Sequence, residues 1–438
     1  MNNYHDPIRH LKYLRQSLSQ DNESIGFFIS AGCPLSVNMP EGQWPLIPDV
    51  AGLTKFINEQ LTDNAKYTIL LAELKKAEKN IENIEDILSF LRSLLLVSKG
   101  GEVRGLSETD LKGLEQIISA KIVEKLDVGL PDQETPYHRL CKWIRSIDRK
   151  VSVELFTTNY DLLMEQALED LEVAYFDGFV GARRSFFDLR ALEDNLIPIH
   201  WSRLWKIHGS INWYQEEVEG QKKVYRSSEI KEGASHLIYP SHLKYEESRK
   251  MPYLALIDQL SRFIRKKSSL LILSGYSFND GHLNDTIINA LKANPTAMVL
   301  GLMFEKYTMF ANNNIHLKFG KLKWSATKIN LALMDYQYQL NEFCKVIERY
   351  HEAYRLANNQ HNLNIWTFDK AIIGTNLGDW KKSLNTSEED IDIMNFIANV
   401  KKNDGSDEHE NLVKLGDFSI FTNFLKKIIG TPKEGQNV

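Results

Sequence analysis

Two short polar turns carry side chains that could do chemistry. Residues 157–161 (TTNYD) follow a β-rich run at 151–155 and precede an amphipathic helix, and residues 208–210 (HGS) follow a second apolar run. In open α/β sheets ligands bind at such strand ends, because the N-termini of the following helices present unpaired N–H groups there. Taken singly, Asn159 in a turn is more often a backbone cap, and His208 after a strand is more often a structural group.

Two other turns follow apolar runs of the buried-strand type. Residues 30–33 (SAGC) follow residues 25–29, and residues 274–277 (SGYS) follow residues 269–273. A buried strand that runs into small residues is how α/β proteins bring backbone N–H groups close to a phosphate. Alone, such a turn is more often an ordinary tight turn, and Asp49, in a loop marked by Pro and Gly, is more often a turn-forming residue.

Strand-like and helix-like segments alternate along the chain. Further strands are predicted at residues 204–207 and 297–302, and the alternation implies right-handed crossovers and a mainly parallel sheet. Residues from about 55 to 145 are mostly helical and too long for a connection between strands, so we interpret them as a helical insertion. This insertion could form a subdomain or a partner surface, or it could add only packing. We expect residues 215–235 to be irregular. Nearer the C-terminus the pattern predicts a strand and two helices, in order, at residues 329–334, 338–354 and 420–429.

Composition limits the classes of function. The chain has 438 residues, of which 43% are hydrophobic and 25% charged, as is ordinary for a globular protein of one large or two medium domains. A net charge of -5 gives no basic footprint for nucleic acid. Three distant cysteines cannot form a four-cysteine zinc site and suit a reducing compartment. We find neither a signal peptide nor an apolar run of membrane-spanning length, so we expect a cytoplasmic protein without membrane contact.

The four turns, in their order along residues 25 to 302, resemble the sirtuin family. The family patterns are Gly-Ala-Gly-x-Ser with a later Ile-Pro-Asp, Thr-Gln-Asn-x-Asp, His-Gly and Gly-[Thr/Tyr]-Ser. The chain is most similar to bacterial sirtuin-like proteins of antiphage defence that are partners of HerA-type ATPases (Nezha-type systems). The stretches that carry this likeness are TTNYD, HGSI, GYSFND and Ile238-Tyr239-Pro240-Ser241.

The resemblance implies an α/β fold with a Rossmann-like, mainly parallel sheet. We therefore expect a sirtuin-like NAD-binding domain at residues 1–335, which includes the helical insertion, and a mostly helical or mixed C-terminal region at residues 336–438.

Several residues depart from the family patterns. Ser30 stands in place of the first Gly, and Cys33-Pro34 stands in place of x-Ser. Val50-Ala51 follows Asp49 where the deacylases carry an aromatic residue and an Arg, and the zinc ribbon of the deacylases is absent. These departures remove much of the acyl-lysine machinery, whereas the groups that act on NAD itself remain.

The resemblance implies an NAD+ hydrolase that cleaves the nicotinamide–ribose bond to give nicotinamide and ADP-ribose, with NAD+ as substrate and no metal. It makes Asn159 and His208 catalytic: Asn159 orients the ribose hydroxyls and the attacking water, and His208 is the general base. The implied binding residues are Ala31 and Gly32 for the pyrophosphate and Asp49 for the nicotinamide amide. Thr158 and Asp161, in the turn at residues 157–161, also belong to the implied site. Ser274, Gly275 and Ser277 would line the adenosine side.

The resemblance also implies a setting. NAD+ depletion would protect bacterial cells from phage, and we expect a cytoplasmic homo-oligomer in complex with a HerA-type ATPase, without direct binding to nucleic acid. Two alternatives use the same site. One is a protein deacylase or ADP-ribosyltransferase, against which the missing zinc module argues. The other is a non-catalytic NAD or ADP-ribose sensor that regulates an ATPase or nuclease, against which Asn159 and His208 argue. Hydrolysis, cyclisation and transfer stay open.

Overall fold

Ten of the strands that the structure describes form one large sheet at the centre of the fold. The computed structural model describes residues 3–219, 221–227, 235–238, 252–307, 351–383, 391–401 and 408–428. In sheet order the strands are β1 (Tyr4–His5), β17 (Asn376–Trp380), β16 (Lys370–Ile373), β15 (Leu363–Trp366), β14 (Met298–Leu302), β13 (Leu270–Ser274), β2 (Ile25–Ile29), β5 (Glu154–Thr157), β9 (Ser202–Lys206) and β6 (Tyr175–Phe176).

The seven strands from β15 to β6 pair in parallel. Every residue of β2 and β13 is buried. Parallel strands that are covered on both faces have continuous apolar sequences. This pattern allowed both strands to be predicted from the sequence. The predicted α/β fold with a mainly parallel sheet is confirmed, and the carboxyl ends of the parallel strands lie along one edge of the sheet.

Helices cover both faces of the large sheet. Successive side chains of a strand point to opposite faces, and Phe27 packs into one apolar core while Phe28 packs into another. The first core contains residues of α1, of the insertion and of α12, and the second contains residues of α9 and α10. The described helices include α1 (Pro7–Leu18), α2 (Val50–Gln60), α3 (Ala65–Lys76), α4 (Ile84–Val97), α5 (Glu108–Leu126), α6 (Pro136–Arg145), α7 (Leu163–Asp170), α8 (Leu189–Glu193), α9 (Tyr253–Ile264), α10 (Gly281–Ala293), α11 (Ile391–Met394) and α12 (Phe418–Ile428).

Helices α2 to α6 lie between β2 and β5 in the chain, which confirms the helical insertion. A short hairpin of β3 (Glu102–Val103) and β4 (Leu106–Ser107) interrupts it, and α5 then begins at a capping box formed by Ser107 and Asp110. The last helix, α12, docks on α6: the Nε atom of Arg139 donates to the Thr422 hydroxyl at 3.1 Å. The insertion and the C-terminal helix are therefore packed together against one face of the sheet.

Five of the described strands form a second sheet, with two of them before β9 in the chain and three after it. Its order is β12 (Ser235–Ile238), β10 (Gly209–Val218), β11 (Gln221–Arg226), β8 (Ser185–Phe187) and β7 (Phe179–Val180). The prediction that residues 215–235 are irregular was wrong for the hairpin of β10 and β11. Tyr214 and Tyr225 are opposite each other in its register and buried, whereas the polar neighbours in sequence hide this half-buried pattern.

The large sheet continues into the C-terminal region. Strand β15 is parallel to β14, and β16 and β17 follow it in antiparallel pairing. The described residues of this region combine helices with strands, including a hairpin of β18 (Ile397–Lys401) and β19 (His409–Val413). The predicted boundary at residue 335, the predicted strand at 329–334, most of the predicted helix at 338–354 and residues 239–241 lie outside the described residues. The division into two domains stays a prediction.

Candidate active site

A cavity of about 250 Å³ lies at the carboxyl ends of four parallel strands, β2, β5, β9 and β13. Each of these strands ends one or two residues before a residue that lines the cavity, and the helical insertion completes the wall. The lining residues are Ser30, Ala31, Pro34, Ile47, Pro48, Asp49, Val50, Leu53, Asn83, Glu85, Leu126, Thr158, Asn159, Tyr160, Asp161, His208, Tyr276, Ser277, Asn279 and Asp280.

The cavity brings together most of the residues predicted from the sequence. Both predicted catalytic residues, Asn159 and His208, line it, although 49 positions separate them (208 minus 159). Five of the predicted binding residues line it as well, namely Ala31, Asp49, Thr158, Asp161 and Ser277. The other three, Gly32, Ser274 and Gly275, lie within two residues of lining residues in the chain but do not line the cavity themselves.

The turn that carries Asn159 is tied to the end of β2. The Oγ atoms of Ser30 and Thr158 are 2.8 Å apart, and the Asn159 amide Nδ2 donates to the Ser30 carbonyl at 3.4 Å. The Asn159 backbone N–H donates to the Thr157 hydroxyl at 3.0 Å. These bonds hold the Asn159 side chain at the cavity wall, and its weak bond to Ser30 leaves the carboxamide able to exchange that partner for a ligand.

Two glycines allow the turns after β2 and β13 to cross. A Cβ atom on Gly32 would lie 2.8 Å from the Gly275 Cα, so neither turn has room for a side chain there. The Gly32 N–H donates to the Gly275 carbonyl at 3.1 Å. This N–H is therefore already bonded in this conformation, and Gly32 packs against Gly275, while its role as a pyrophosphate donor stays a prediction. Ser274 supports the same crossing, since its carbonyl accepts the Ser30 N–H at 3.0 Å.

Two predicted acidic residues have defined structural partners. The Oδ1 atom of Asp49 accepts the Gly52 N–H at 2.8 Å and caps α2. This contact agrees with the structural role in a turn that the sequence offered as the alternative to nicotinamide binding. The Oδ1 atom of Asp161 accepts the Leu163 N–H at 3.0 Å. Burial raises the pKa of Asp161 to about 6, although the Lys206 ammonium opposes this shift.

Lys206 stabilises the turn at residues 157–161 through its buried ammonium group. It is fully buried, and its Nζ donates to Glu165 Oε1 at 2.7 Å, to the Tyr160 carbonyl at 3.4 Å and to the Asp161 carbonyl. A buried ammonium needs such partners, because an uncompensated charge is costly in the protein interior. The last residue of β9 therefore fixes the backbone of the turn after β5.

His208 lies at the start of the second sheet, between two tyrosines. It is 4% exposed, and its ring centroid lies 6.5 Å from those of Tyr160 and Tyr253. Its Nε2 atom is 3.2 Å from Asp280 Oδ2, at ion-pair distance, but the angles are not those of a hydrogen bond. Burial raises the pKa of Tyr160, so this phenol stays neutral beside the imidazole.

Sequence reasoning missed the lining residues from the insertion and from the start of α10. Asn83 and Glu85 begin α4, and the Tyr160 hydroxyl lies 3.4 Å from Glu85 Oε1. Asp280 precedes α10 and accepts two of its N–H groups, so an N-cap signal was present in the sequence. That signal predicts where a helix begins, but it does not say which side chain across the fold the carboxylate will face.

The charge of the described lining is one-sided. It contains the acidic residues Asp49, Glu85, Asp161 and Asp280 and neither Lys nor Arg. Such surroundings favour positive charge that develops inside the cavity. A phosphate would depend on backbone N–H groups, and Ala31 is the predicted donor that lines the cavity. Among the described residues no group of three or more His, Cys, Asp or Glu side chains is placed to hold a metal ion.

The fold and the cavity define an α/β protein with a ligand site at the carboxyl ends of parallel strands. Residues 153–314 match the family model of the SIR2-like domain. The matched segment includes Asn159, His208 and Asp280, whereas the turn after β2 and Asp49 precede it. The match supports a sirtuin-like domain and an NAD-related function. Comparison with curated proteins gave no match.

Within the described ranges, none of the helices combines the length and the apolar character that a membrane span requires.

Proposed function

We propose that this protein is an NAD+ glycohydrolase, which cleaves the bond between nicotinamide and ribose and releases nicotinamide and ADP-ribose. The observation that carries the proposal is the meeting of Asn159 and His208 in one cavity at the carboxyl ends of β5 and β9. The match of residues 153–314 to the SIR2-like domain supports NAD as the ligand class.

Each residue would contribute a separate step of the reaction. Asn159, already at hydrogen-bond distance from the Ser30 carbonyl, would orient the ribose hydroxyls and the attacking water. His208 would accept one proton of that water as the water oxygen bonds to the sugar carbon, while nicotinamide leaves with the electron pair of the broken bond. The acidic lining would stabilise the positive charge that develops on the sugar. No residue needs to form a covalent intermediate.

The helical insertion favours water as the acceptor. Asn83 and Glu85 of the insertion line the cavity beside Tyr160, so the insertion belongs to the wall of the site. A protein deacylase must admit an acyl-lysine chain next to the histidine, and a wall of helical residues there favours a small acceptor. The products distinguish hydrolysis from cyclisation and transfer.

The biological setting is part of the proposal and rests on the sequence resemblance. The enzyme would act in the bacterial cytoplasm, deplete NAD+ during phage infection, form a homo-oligomer and bind a HerA-type ATPase. We assign such contacts to the helical insertion and the C-terminal region by elimination, because the strand ends and their turns supply the two residues proposed to be catalytic, Asn159 and His208.

The first experiment is to incubate the purified protein with NAD+ and to measure nicotinamide and ADP-ribose, with and without a HerA-type ATPase. His208→Ala serves as the test variant and His200→Ala as a matched control, because His200 is exposed. We expect both products in equal amounts, without any acylated peptide, and a loss of ~10²–10⁴-fold in His208→Ala only. Binding of NAD+ without release of nicotinamide, with and without the ATPase, would refute the hydrolase and favour the sensor.

A further inference from the structure

The carboxylate of Asp280 joins the start of α10 to His208. Its Oδ1 atom accepts the N–H groups of His282 at 3.1 Å and Leu283 at 3.2 Å, as an N-cap does. Its Oδ2 atom lies 3.2 Å from His208 Nε2. The side chains of His208 and Asp280 are only 5% and 10% exposed, so little solvent screens the pair.

The surroundings of the His208 ring contain one described charged group at ion-pair distance. Tyr160 faces the ring from the turn after β5, Tyr253 faces it from α9, and Asp280 faces it from α10. Burial raises the pKa of the Tyr160 phenol, so this neighbour brings no charge near neutral pH. Asp280 is therefore the charged neighbour whose removal tests what the ring gains from its surroundings.

The helix fixes where this carboxylate stands. Two backbone N–H groups hold one carboxylate oxygen, and anions are favoured at helix N-termini, so Asp280 is an oriented negative charge. His208 Nε2 is buried and has no hydrogen-bond partner among the described residues. In structures without substrate, catalytic hydrogen bonds are often poorly aligned and tighten in the complex. At 3.2 Å a small rotation of the ring would convert the ion-pair contact into a hydrogen bond.

We infer that Asp280 is a positioning residue that acts through His208, an inference that rests on the proposed hydrolase. The carboxylate holds the orientation of the imidazole and stabilises the imidazolium that forms when His208 accepts a proton from the attacking water. Asp280 itself stays deprotonated throughout, and the proton leaves His208 for solvent after the products depart. An opposite charge at this distance favours the charged form of a histidine.

The variant Asp280→Asn separates the charge from the cap. Asparagine caps helices about as well as aspartate, so α10 keeps its start while the negative charge is lost. Asp280→Ser is a second variant that also keeps a capping oxygen but is too short to reach the imidazole. Asp6→Asn is the matched control, because Asp6 caps α1 through a bond from the Ile8 N–H at 3.0 Å and lies outside the cavity.

The decisive measurement is a nuclear magnetic resonance titration of ¹³C-labelled histidines, in which the signal missing from His208→Ala identifies His208. Because both variants remove the negative charge beside the ring, we expect the His208 signal to titrate at lower pH in Asp280→Asn and Asp280→Ser than in the wild type. The control should leave this titration unchanged. A midpoint that stays where it is in both Asp280 variants would overturn the inference, and this readout does not depend on NAD cleavage.

Kinetics complete the test. With NAD+ as substrate, we expect Asp280→Asn to lower kcat about 10- to 100-fold with a much smaller change in KM, and to move the acid limb of the pH–rate profile to lower pH. A shifted titration with an unchanged kcat would show that the carboxylate does not assist turnover, which also overturns the inference. If the wild-type protein cleaves no NAD+ while the titration shifts, the proposed hydrolase is refuted. The electrostatic coupling of Asp280 and His208 would then be shown, but it would have no role in NAD cleavage.

Discussion

Gly32 and Gly275 face each other where the turns after β2 and β13 cross, and the Gly32 N–H donates to the Gly275 carbonyl at 3.1 Å. Gly275 has a φ of +67°, and a Cβ atom on it would lie 2.7 Å from the Cys33 nitrogen. Both the backbone conformation and the space therefore require glycine at position 275. The crossing places Ala31 and Ser277 on the cavity wall, so the packing of two glycines determines the shape of the site.

Gly275→Ala is expected to lower the free energy of unfolding by about 1–3 kcal/mol, because the added methyl group meets backbone that must shift. NAD cleavage should fall with it, since the shift reaches the cavity wall. The control is Gly113→Ala in α5, where a Cβ atom meets nothing within 4 Å. That variant should be stabilised by about 0.5–1 kcal/mol through helix propensity. Urea unfolding measures both values, and equal effects at the two positions would contradict the packing argument.

Asn159→Ala should lower NAD cleavage by ~10²–10⁴-fold while the fold stays intact. The side chain makes one long bond, at 3.4 Å to the Ser30 carbonyl, so its removal should cost at most about 1 kcal/mol of stability. Initial rates of nicotinamide release and a urea unfolding curve give the two quantities. Asn359→Ala, at an exposed position, is the control. Activity above about a tenth of the wild-type rate would remove Asn159 from the catalytic residues.

The pH dependence of stability should report on Asp161. Burial raises the pKa of this carboxyl from 3.8 to about 6, so between pH 4 and pH 6 the folded protein holds a proton that the unfolded chain has lost. The contribution of Asp161 to the free energy of unfolding therefore decreases as the pH rises through this window and is constant above it. Asp161→Asn cannot titrate and keeps an acceptor for the Leu163 N–H.

We expect Asp161→Asn to gain about 2 kcal/mol relative to the wild type between pH 4 and pH 7, at 1.36 kcal/mol per pKa unit. Chemical unfolding at several pH values measures this difference. Asp63→Asn, at an exposed position, should change in parallel with the wild type. If the curves of Asp161→Asn and the wild type are also parallel, the pKa of Asp161 is not raised by folding.

Lys206 and Glu165 form a buried pair, with 2.7 Å between Nζ and Oε1. Lys206→Met should lower the free energy of unfolding by about 3–5 kcal/mol, because the Glu165 charge would stay buried without its partner. The double variant Lys206→Met/Glu165→Gln should recover part of this loss, and a double-mutant cycle measures the coupling. The exposed pair of Lys55 and Glu59, at 4.0 Å, is the control, and Lys55→Met should cost less than about 1 kcal/mol. Strict additivity of the two buried substitutions would contradict the pairing.

The sequence was most informative where the sheet is buried on both faces. Strands β2 and β13 were predicted because parallel strands without a solvated face form continuous apolar runs. Strands β15 to β17 were not predicted. They are joined by two antiparallel pairings, and β16 and β17 mix buried with partly exposed positions, so the apolar signal of these two strands is interrupted. The order of the four turns could be predicted for a different reason, because a turn is specified by only a few neighbouring residues.

The sequence by itself determined that Asn159 and His208 follow strands and that these strands belong to a mainly parallel sheet. Parallel strands end at the same edge, so the meeting of the two residues follows from local patterns and one general rule. Only the tertiary structure decided that the Gly32 N–H donates to the Gly275 carbonyl. It likewise decided that Glu85 of the insertion contacts Tyr160 and that Asp280 faces His208. These contacts join segments that are distant in the chain, and their geometry depends on the packing of whole elements, which no local pattern of residues encodes.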